Sequence, residues 1–131
     1  MILFLDASAM VAMMTDEPDG FDIAQRFGAA DEVLYSAMSL WETVRAVARK
    51  RRVPISLAQT EAECFVKEFS LRVVTIGDAE ARAAIGAHER YGKGMHRANL
   101  KMGDCFAYAC AKTNNAQLLY KGTDFAQTDL A

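Results

Sequence analysis

Four acidic residues, Asp6, Glu42, Asp104 and Asp124, stand where one element of the chain ends or another begins. Asp6 closes the apolar run Ile2-Leu3-Phe4-Leu5, and Glu42 follows Trp41 near the start of a helical pattern. Asp104 follows Gly103 and opens another helix, and Asp124 sits in the turn-like stretch Lys121-Gly122-Thr123-Asp124-Phe125. Carboxylates gathered by a fold repel and raise one another's pKa. A hard divalent cation such as Mg²⁺, which takes oxygen ligands and keeps several waters, relieves that repulsion. Ions held in this way activate water and stabilise the leaving oxygen during in-line attack on a phosphodiester. The chemistry these residues point to is metal-dependent cleavage of a phosphate ester.

Each residue alone also has an ordinary explanation. Asp6 and Asp104 suit helix N-caps, where Asp contributes about 1 kcal/mol, and Asp124 suits a turn. Glu42 could pair with Arg45, three positions on, with Arg49 a further turn along. On this helix 41, 44 and 48 read as the core face. A face holding Glu42, Arg45 and Arg49 also suits phosphate, with the carboxylate for metal and the guanidiniums for the anion.

The elements that must position these residues alternate. Ile2–Leu5 has the continuous apolar character of a strand covered on both faces. Helices are expected over 7–14 and 21–29, separated by the breaker Asp16-Glu17-Pro18-Asp19-Gly20. A short strand at 33–35 leads to a helix over 39–51 with Pro54 beyond it. Ser56 is expected to cap a helix to about Phe69. A β-rich stretch over 71–76 precedes an alanine-rich helix from Asp78 to about Tyr91. Gly92-Lys93-Gly94-Met95-His96-Arg97 reads as a flexible basic loop. A helix over 104–113 and a strand at 118–120 complete the chain. Strands alternating with helices imply an α/β fold with a parallel sheet covered on both faces. Binding residues in such sheets gather at the carboxyl ends of strands.

Composition narrows the class. The 131 residues suit a single domain spanning 1–131. At 52% hydrophobic the chain can build a core. The formal net charge of −2 excludes nucleic-acid binding by bulk positive charge, so any such contact must rest on a local patch. Cys64, Cys105 and Cys110 form no CxxC pair, and an odd count argues against a disulfide framework. All three are expected to be buried or half-buried thiols of a reducing compartment. No basic n-region precedes the first apolar run, and no stretch approaches the roughly 20 apolar residues of a membrane span. A cytoplasmic location with no membrane contact is expected.

Several blocks together carry a family likeness. They are Ile2-Leu3-Phe4-Leu5-Asp6-Ala7-Ser8-Ala9, Ser39-Leu40-Trp41-Glu42, Gly103-Asp104-Cys105-Phe106-Ala107-Tyr108-Ala109, and the stretch from Leu118 to Asp129. In order and spacing along essentially the whole chain, they resemble the PIN-domain ribonucleases and, within them, the VapC-type toxins of bacterial toxin–antitoxin pairs. The resemblance implies a PIN-like three-layer α/β/α sandwich. It implies that Asp6, Glu42, Asp104 and Asp124 form an acidic quartet holding Mg²⁺ or Mn²⁺, with Asp6 and Asp104 as direct ligands. Ser8 matches a small hydroxyl residue that orients a carboxylate or water, and Asp129 matches a further, supporting acidic position. The implied activity is endonucleolytic cleavage of RNA. The implied partners are a second copy of the chain and a small antitoxin, whose C-terminal segment covers the active site while its N-terminal part binds operator DNA.

Two other readings stand beside it. One is a PIN-fold module that only docks a partner. The other is a receiver-like phosphoacceptor domain, with Lys121 as the lysine near the last strand, but Ala7 follows Asp6 where such domains place a second acid.

Two basic segments could reach RNA. The first is Arg45, Arg49, Lys50, Arg51 and Arg52, which also suits a solvated helix end. The second is Lys93, His96, Arg97 and Lys101, in a glycine-flanked loop just before Asp104. Arg45, Arg49, Lys93 and Arg97 are the candidate RNA contacts. His88 and His96 lack a metal-ligand partner at helical spacing. Met10, Met13 and Met14 read as core or dimer surface.

Overall fold

A computed structural model describes residues 1–131. The element order is β1 (Ile2–Leu5), α1 (Ala7–Met14), α2 (Gly20–Ala29), β2 (Glu32–Ser36), α3 (Ala37–Arg51), α4 (Ile55–Glu68), β3 (Arg72–Val74), α5 (Asp78–Tyr91), α6 (Met102–Thr113) and β4 (Gln117–Leu119). All four strands pair in parallel, in the order β3-β2-β1-β4.

Alternation along the strands assigns the layers. Leu3, Leu5, Val33 and Leu119 point to one face, where they meet Met10 of α1, Ile23 of α2, Val47 of α3 and Ala62 of α4. Phe4, Leu34, Val74 and Leu118 point to the other, against α5 and α6. A strand buried on both faces needs apolar residues at successive positions, which is why Leu3-Phe4-Leu5 is continuous. The result is the expected three-layer α/β/α sandwich. The helices of β1→β2→β3 cover one face and those returning from β3 to β4 cover the other, as right-handed crossovers require when the direction reverses.

That reversal falls between β1 and β4, so a crevice opens at their carboxyl ends. Asp6 leaves the end of β1 there, and its backbone N–H donates to Leu119 O at 3.0 Å. Asp124 lies five residues past β4.

Some local expectations are corrected. Helix α3 starts at Ala37, because Ser36 and Ser39 close a reciprocal capping box (Ser39 N to Ser36 Oγ 3.1 Å, Ser36 N to Ser39 Oγ 2.9 Å). Helix α4 starts at Ile55, with the Pro54 carbonyl rather than Ser56 receiving its first backbone bonds, from Leu57 and Ala58. Cys64 is exposed, whereas Cys105 and Cys110 are buried. The 92–97 loop is not free chain. Gly92 bridges to Leu100, and Lys93 N, Met95 N and His96 N all donate within the loop or to Leu100. Trp41 is 58% exposed, so α3 presents Val44, Val47 and Ala48 to the core, without residue 41. No helix is long and apolar enough to cross a membrane.

Candidate active site

Asp6 caps α1, and the same geometry builds a site. Its Oδ2 accepts from Ser8 N at 3.0 Å and from Ser8 Oγ at 2.5 Å. The Ser8 hydroxyl in turn accepts from the backbone N–H of Lys121 at 3.0 Å. One serine therefore ties the carboxylate after β1 to the chain leaving β4. Asp6 is only 6% exposed. Burial, and behind it the charge of Asp124, raises its pKa against the opposing bonds from Ser8.

Asp104 occupies the third position of α6 and accepts from Lys101 N at 3.0 Å, closing the start of that helix. Burial first, then the charges of Asp6 and Asp124, push its carboxyl up to about 6, against the pull of the Lys101 bond and charge. Glu42 projects from the second turn of α3 and is half-buried. Burial, then Asp6 and Asp104, carry it up to about 7, with Arg45 pulling the other way. Its carboxylate lies against Gly103, where an added Cβ would collide with it. Asp124 is exposed at the rim.

The mutual shifts place all four carboxylates in one electrostatic field. Asp6 feels Asp124, Glu42 feels Asp6 and Asp104, and Asp104 feels Asp6 and Asp124. The donor set consists of oxygen only. Glu42 and Asp124 make no hydrogen bond or ion pair, and Asp6 and Asp104 each use Oδ2 alone. Free carboxylate oxygens, with the Asp6, Glu42 and Asp104 carboxyls held above their ordinary values, suit a hard divalent cation. As the side chains stand, no three of them converge at metal-ligand distance. Asp6 and Asp104 are each turned toward the start of their own helix.

Asp129 is placed elsewhere. It accepts from Tyr108 Oη at 2.7 Å and pairs with Lys112 Nζ at 2.6 Å, pinning the C-terminal segment to the outer turns of α6. Lys112 is eight residues beyond Asp104, about 12 Å along the helix. The basic run of α3 is divided. Lys50 pairs with Glu17, Arg51 pairs with Glu61, and Arg52 ends the helix at φ 55°. Arg45, Arg49, Lys93 and Arg97 are exposed and make no ion pair.

Sequence reasoning missed the part played by two residues. Gly103 was quoted only as a neighbour of Asp104, and its proximity to Glu42 comes from α6 crossing the start of α3. Glu17 looked like part of a helix breaker. Instead its side chain is 13% exposed and accepts from Lys121 Nζ at 2.9 Å, with Lys50 Nζ at 3.2 Å. The Lys121 bond holds Glu17 below the usual carboxylate range. Lys121 is therefore anchored at both ends, backbone to Ser8 and ammonium to Glu17, which removes it from the role a receiver-like reading would need. The two main surface grooves, of about 740 and 390 Å³, contain none of the four carboxylates.

The chain and its fold have known counterparts. A family profile described as PIN domain matches residues 3–130. Ribonuclease VapC30 of Mycobacterium tuberculosis is 39% identical over 133 residues, covering 98% of this chain and 96% of that protein. The crystal structure of Mycobacterium tuberculosis VapC20, described as a Sarcin-Ricin loop cleaving toxin, superposes with a TM-score of 0.73 at 19% identity, over 95% of this chain and 92% of that one. VapBC2 from Rickettsia felis, solved bound to a DNA fragment from its promoter, gives 0.74 at 14% identity, over 99% and 95%. At those identities the two structures speak for the fold.

Proposed function

The chain belongs to the PIN-domain family, and from that premise we propose that it cuts RNA at the crevice between β1 and β4, with Asp6, Glu42, Asp104 and Asp124 as its catalytic carboxylates. Membership among the VapC ribonucleases makes it an endoribonuclease toxin of a toxin–antitoxin system. The observation that carries the site assignment is the shared field: three of the four carboxyls are held above their ordinary values by burial and by one another.

In this reading Asp6 and Asp104 offer their free oxygens to a divalent ion, Mg²⁺ or Mn²⁺, with Glu42 and Asp124 completing its surroundings. Such an ion, when bound, supplies an activated water and neutralises charge on the leaving oxygen. The protein supplies position. Ser8 fixes the Asp6 carboxylate, the backbone of Lys101 fixes Asp104, and Gly103 leaves room for Glu42. Glu42, pushed up to about 7, can hold or release a proton near neutral pH in the free site. Ser8 and Lys121 hold the loop that carries Asp124.

A protein antitoxin is the expected partner, by likeness to the VapBC2 assembly, and a homodimer is the expected state of the toxin.

Purified, antitoxin-free protein incubated with RNA tests the proposal. Cleavage is expected with Mg²⁺ or Mn²⁺ and is expected to stop with EDTA. Unchanged cleavage by Asp6→Asn or Asp104→Asn would overturn the site assignment.

A further inference from the structure

Trp41 is the only tryptophan of the chain and directly precedes Glu42. It sits on the first turns of α3, where a large apolar ring would ordinarily join the core, yet it is 58% exposed. One side of the ring is already engaged, since the Arg45 guanidinium lies over it, 4.9 Å from the centroid. Arg45 follows at i+4 and Arg49 at i+8, so the three make one stripe along the helix, each step rising about 6 Å. Neither arginine has an acidic partner. Arg45 is also the cation whose charge acts on Glu42. An open aromatic plate, two unneutralised guanidiniums and one carboxylate of the acidic site, Glu42, therefore share one helix.

Single-stranded RNA is recognised by that combination: unstacked bases lie on aromatic rings or guanidinium planes, and basic side chains follow the phosphates. We infer that Trp41, backed by Arg45, is a stacking platform for a base next to the scissile phosphate, a specificity and positioning element of the ribonuclease site. The inference rests on the ribonuclease reading above. A second protein chain could also cover an exposed tryptophan. The unpaired Arg45 and Arg49 on the same helix as Glu42 favour a polyanion, and it is the Arg45 guanidinium that lies over the ring.

Because the ring is the sole tryptophan, its fluorescence reports on the platform directly. Inactive Asp6→Asn protein is titrated with bulk transfer RNA and, separately, with a random pool of single-stranded oligonucleotides. Tryptophan emission and calorimetry are followed in parallel. Emission is expected to quench and to saturate with the calorimetric isotherm. In active protein with Mg²⁺, Trp41→Ala is expected to raise KM about five- to hundredfold, the range spanned by losing one stacked base, with kcat changed less. Trp41→Phe is expected to recover most of that loss, and Trp41→Leu to recover little.

RNA that binds by calorimetry without moving the emission, together with a wild-type KM in Trp41→Ala, overturns the platform and leaves the ribonuclease reading intact. So does emission that varies with protein concentration alone and follows dimer formation on size exclusion, which assigns the ring to a second copy of the chain. No RNA binding and no cleavage by the wild-type protein overturns the ribonuclease reading and the platform with it.

Discussion

The carboxylate of Glu42 fills the space that a side chain at Gly103 would occupy. The two residues are 61 positions apart, and their proximity is how the start of α6 meets the start of α3. The atom in the way is the end of a flexible side chain, so an added methyl displaces Glu42 and not the backbone. Gly103→Ala is expected to fold and melt at or slightly above the wild-type temperature, since Ala is favoured over Gly in helices by up to about 1 kcal/mol. Cleavage should fall by about a hundredfold, the scale of a displacement of about 1 Å at a reacting centre. Thermal melts and single-turnover cleavage on the same preparations decide it. A fully active variant would mean that the Glu42 position does not matter.

Asp6→Asn should keep the fold, because Asn caps a helix about as well as Asp. It should also relieve the charge that burial first, and Asp124 behind it, oppose. The metal-free variant is expected to be at least as stable as wild type, while cleavage drops at least about a hundredfold, as loss of several kcal/mol of metal-borne stabilisation requires. Calorimetric titration with Mg²⁺ should show weakened binding. Wild-type Mg²⁺ affinity would argue that Asp6 is only a cap.

Ser8→Ala breaks the link from Asp6 to Lys121. Loss of two hydrogen bonds is expected to cost about 1–2 kcal/mol. Misoriented ligands are expected to cost about 10–100-fold in metal affinity or rate. Ser8→Thr retains the hydroxyl and should recover most of both. Equal loss in the Ala and Thr variants would show that the hydroxyl is not the active feature.

The metal-free protein should depend on pH in a specific direction. Burial, Asp6 and Asp104 raise Glu42 from 4.5 to about 7, so between those values the folded state holds a proton that the unfolded state has released. Stability from this group is complete below about 4.5 and declines as pH rises toward 7. Asp104, raised from 3.8 to about 6, acts in the same sense over a lower window. Melting temperature in EDTA is expected to fall across this range, less so in Glu42→Gln, and Mg²⁺ should flatten the profile. A metal-free profile in which Glu42→Gln matches wild type would exclude Glu42 as its source.

Asp129→Ala separates a structural acid from the catalytic ones. Asp129 holds Tyr108 and Lys112, not the quartet. The substitution should lower the melting temperature by a few degrees, as about 1 kcal/mol does in a domain of this size, and leave kcat within about twofold. A loss comparable to that of Asp6→Asn would return Asp129 to the active site.

Much of this was legible in the chain because the signals are local. Leu3-Phe4-Leu5 is apolar at successive positions, which only a strand covered on both faces explains. Asp16-Glu17-Pro18 must interrupt a helix, and the two helices it separates are both present. Asp6, Glu42, Asp104 and Asp124 could be named because each stands in a recognisable block, although Glu42 lies a turn inside α3 and not at its start. The errors are equally specific. Trp41 belonged to the core by helical spacing and is exposed, because periodicity gives the angle around a helix but not how far the neighbouring layer extends. Asp129 was expected only as a supporting acid, and what it supports was not legible. Its hydrogen bonds to Tyr108 and Lys112 depend on where the last residues fold back over α6.

By itself the sequence determined which segments become strands and helices, and which four carboxylates are available for chemistry. Backbone preference, capping and alternation act over a few residues and can be read one segment at a time. Only the tertiary structure decided the strand order β3-β2-β1-β4, and with it the reversal beside β1 that brings Asp6 toward Asp124. It also decided the crossing of α6 over α3 that seats Glu42 on Gly103, and the bond from Ser8 to Lys121 that spans 113 residues. These depend on long-range packing of two buried sheet faces, where the free energy of burying area is shared among many residues and no single stretch of sequence encodes the neighbour it will meet.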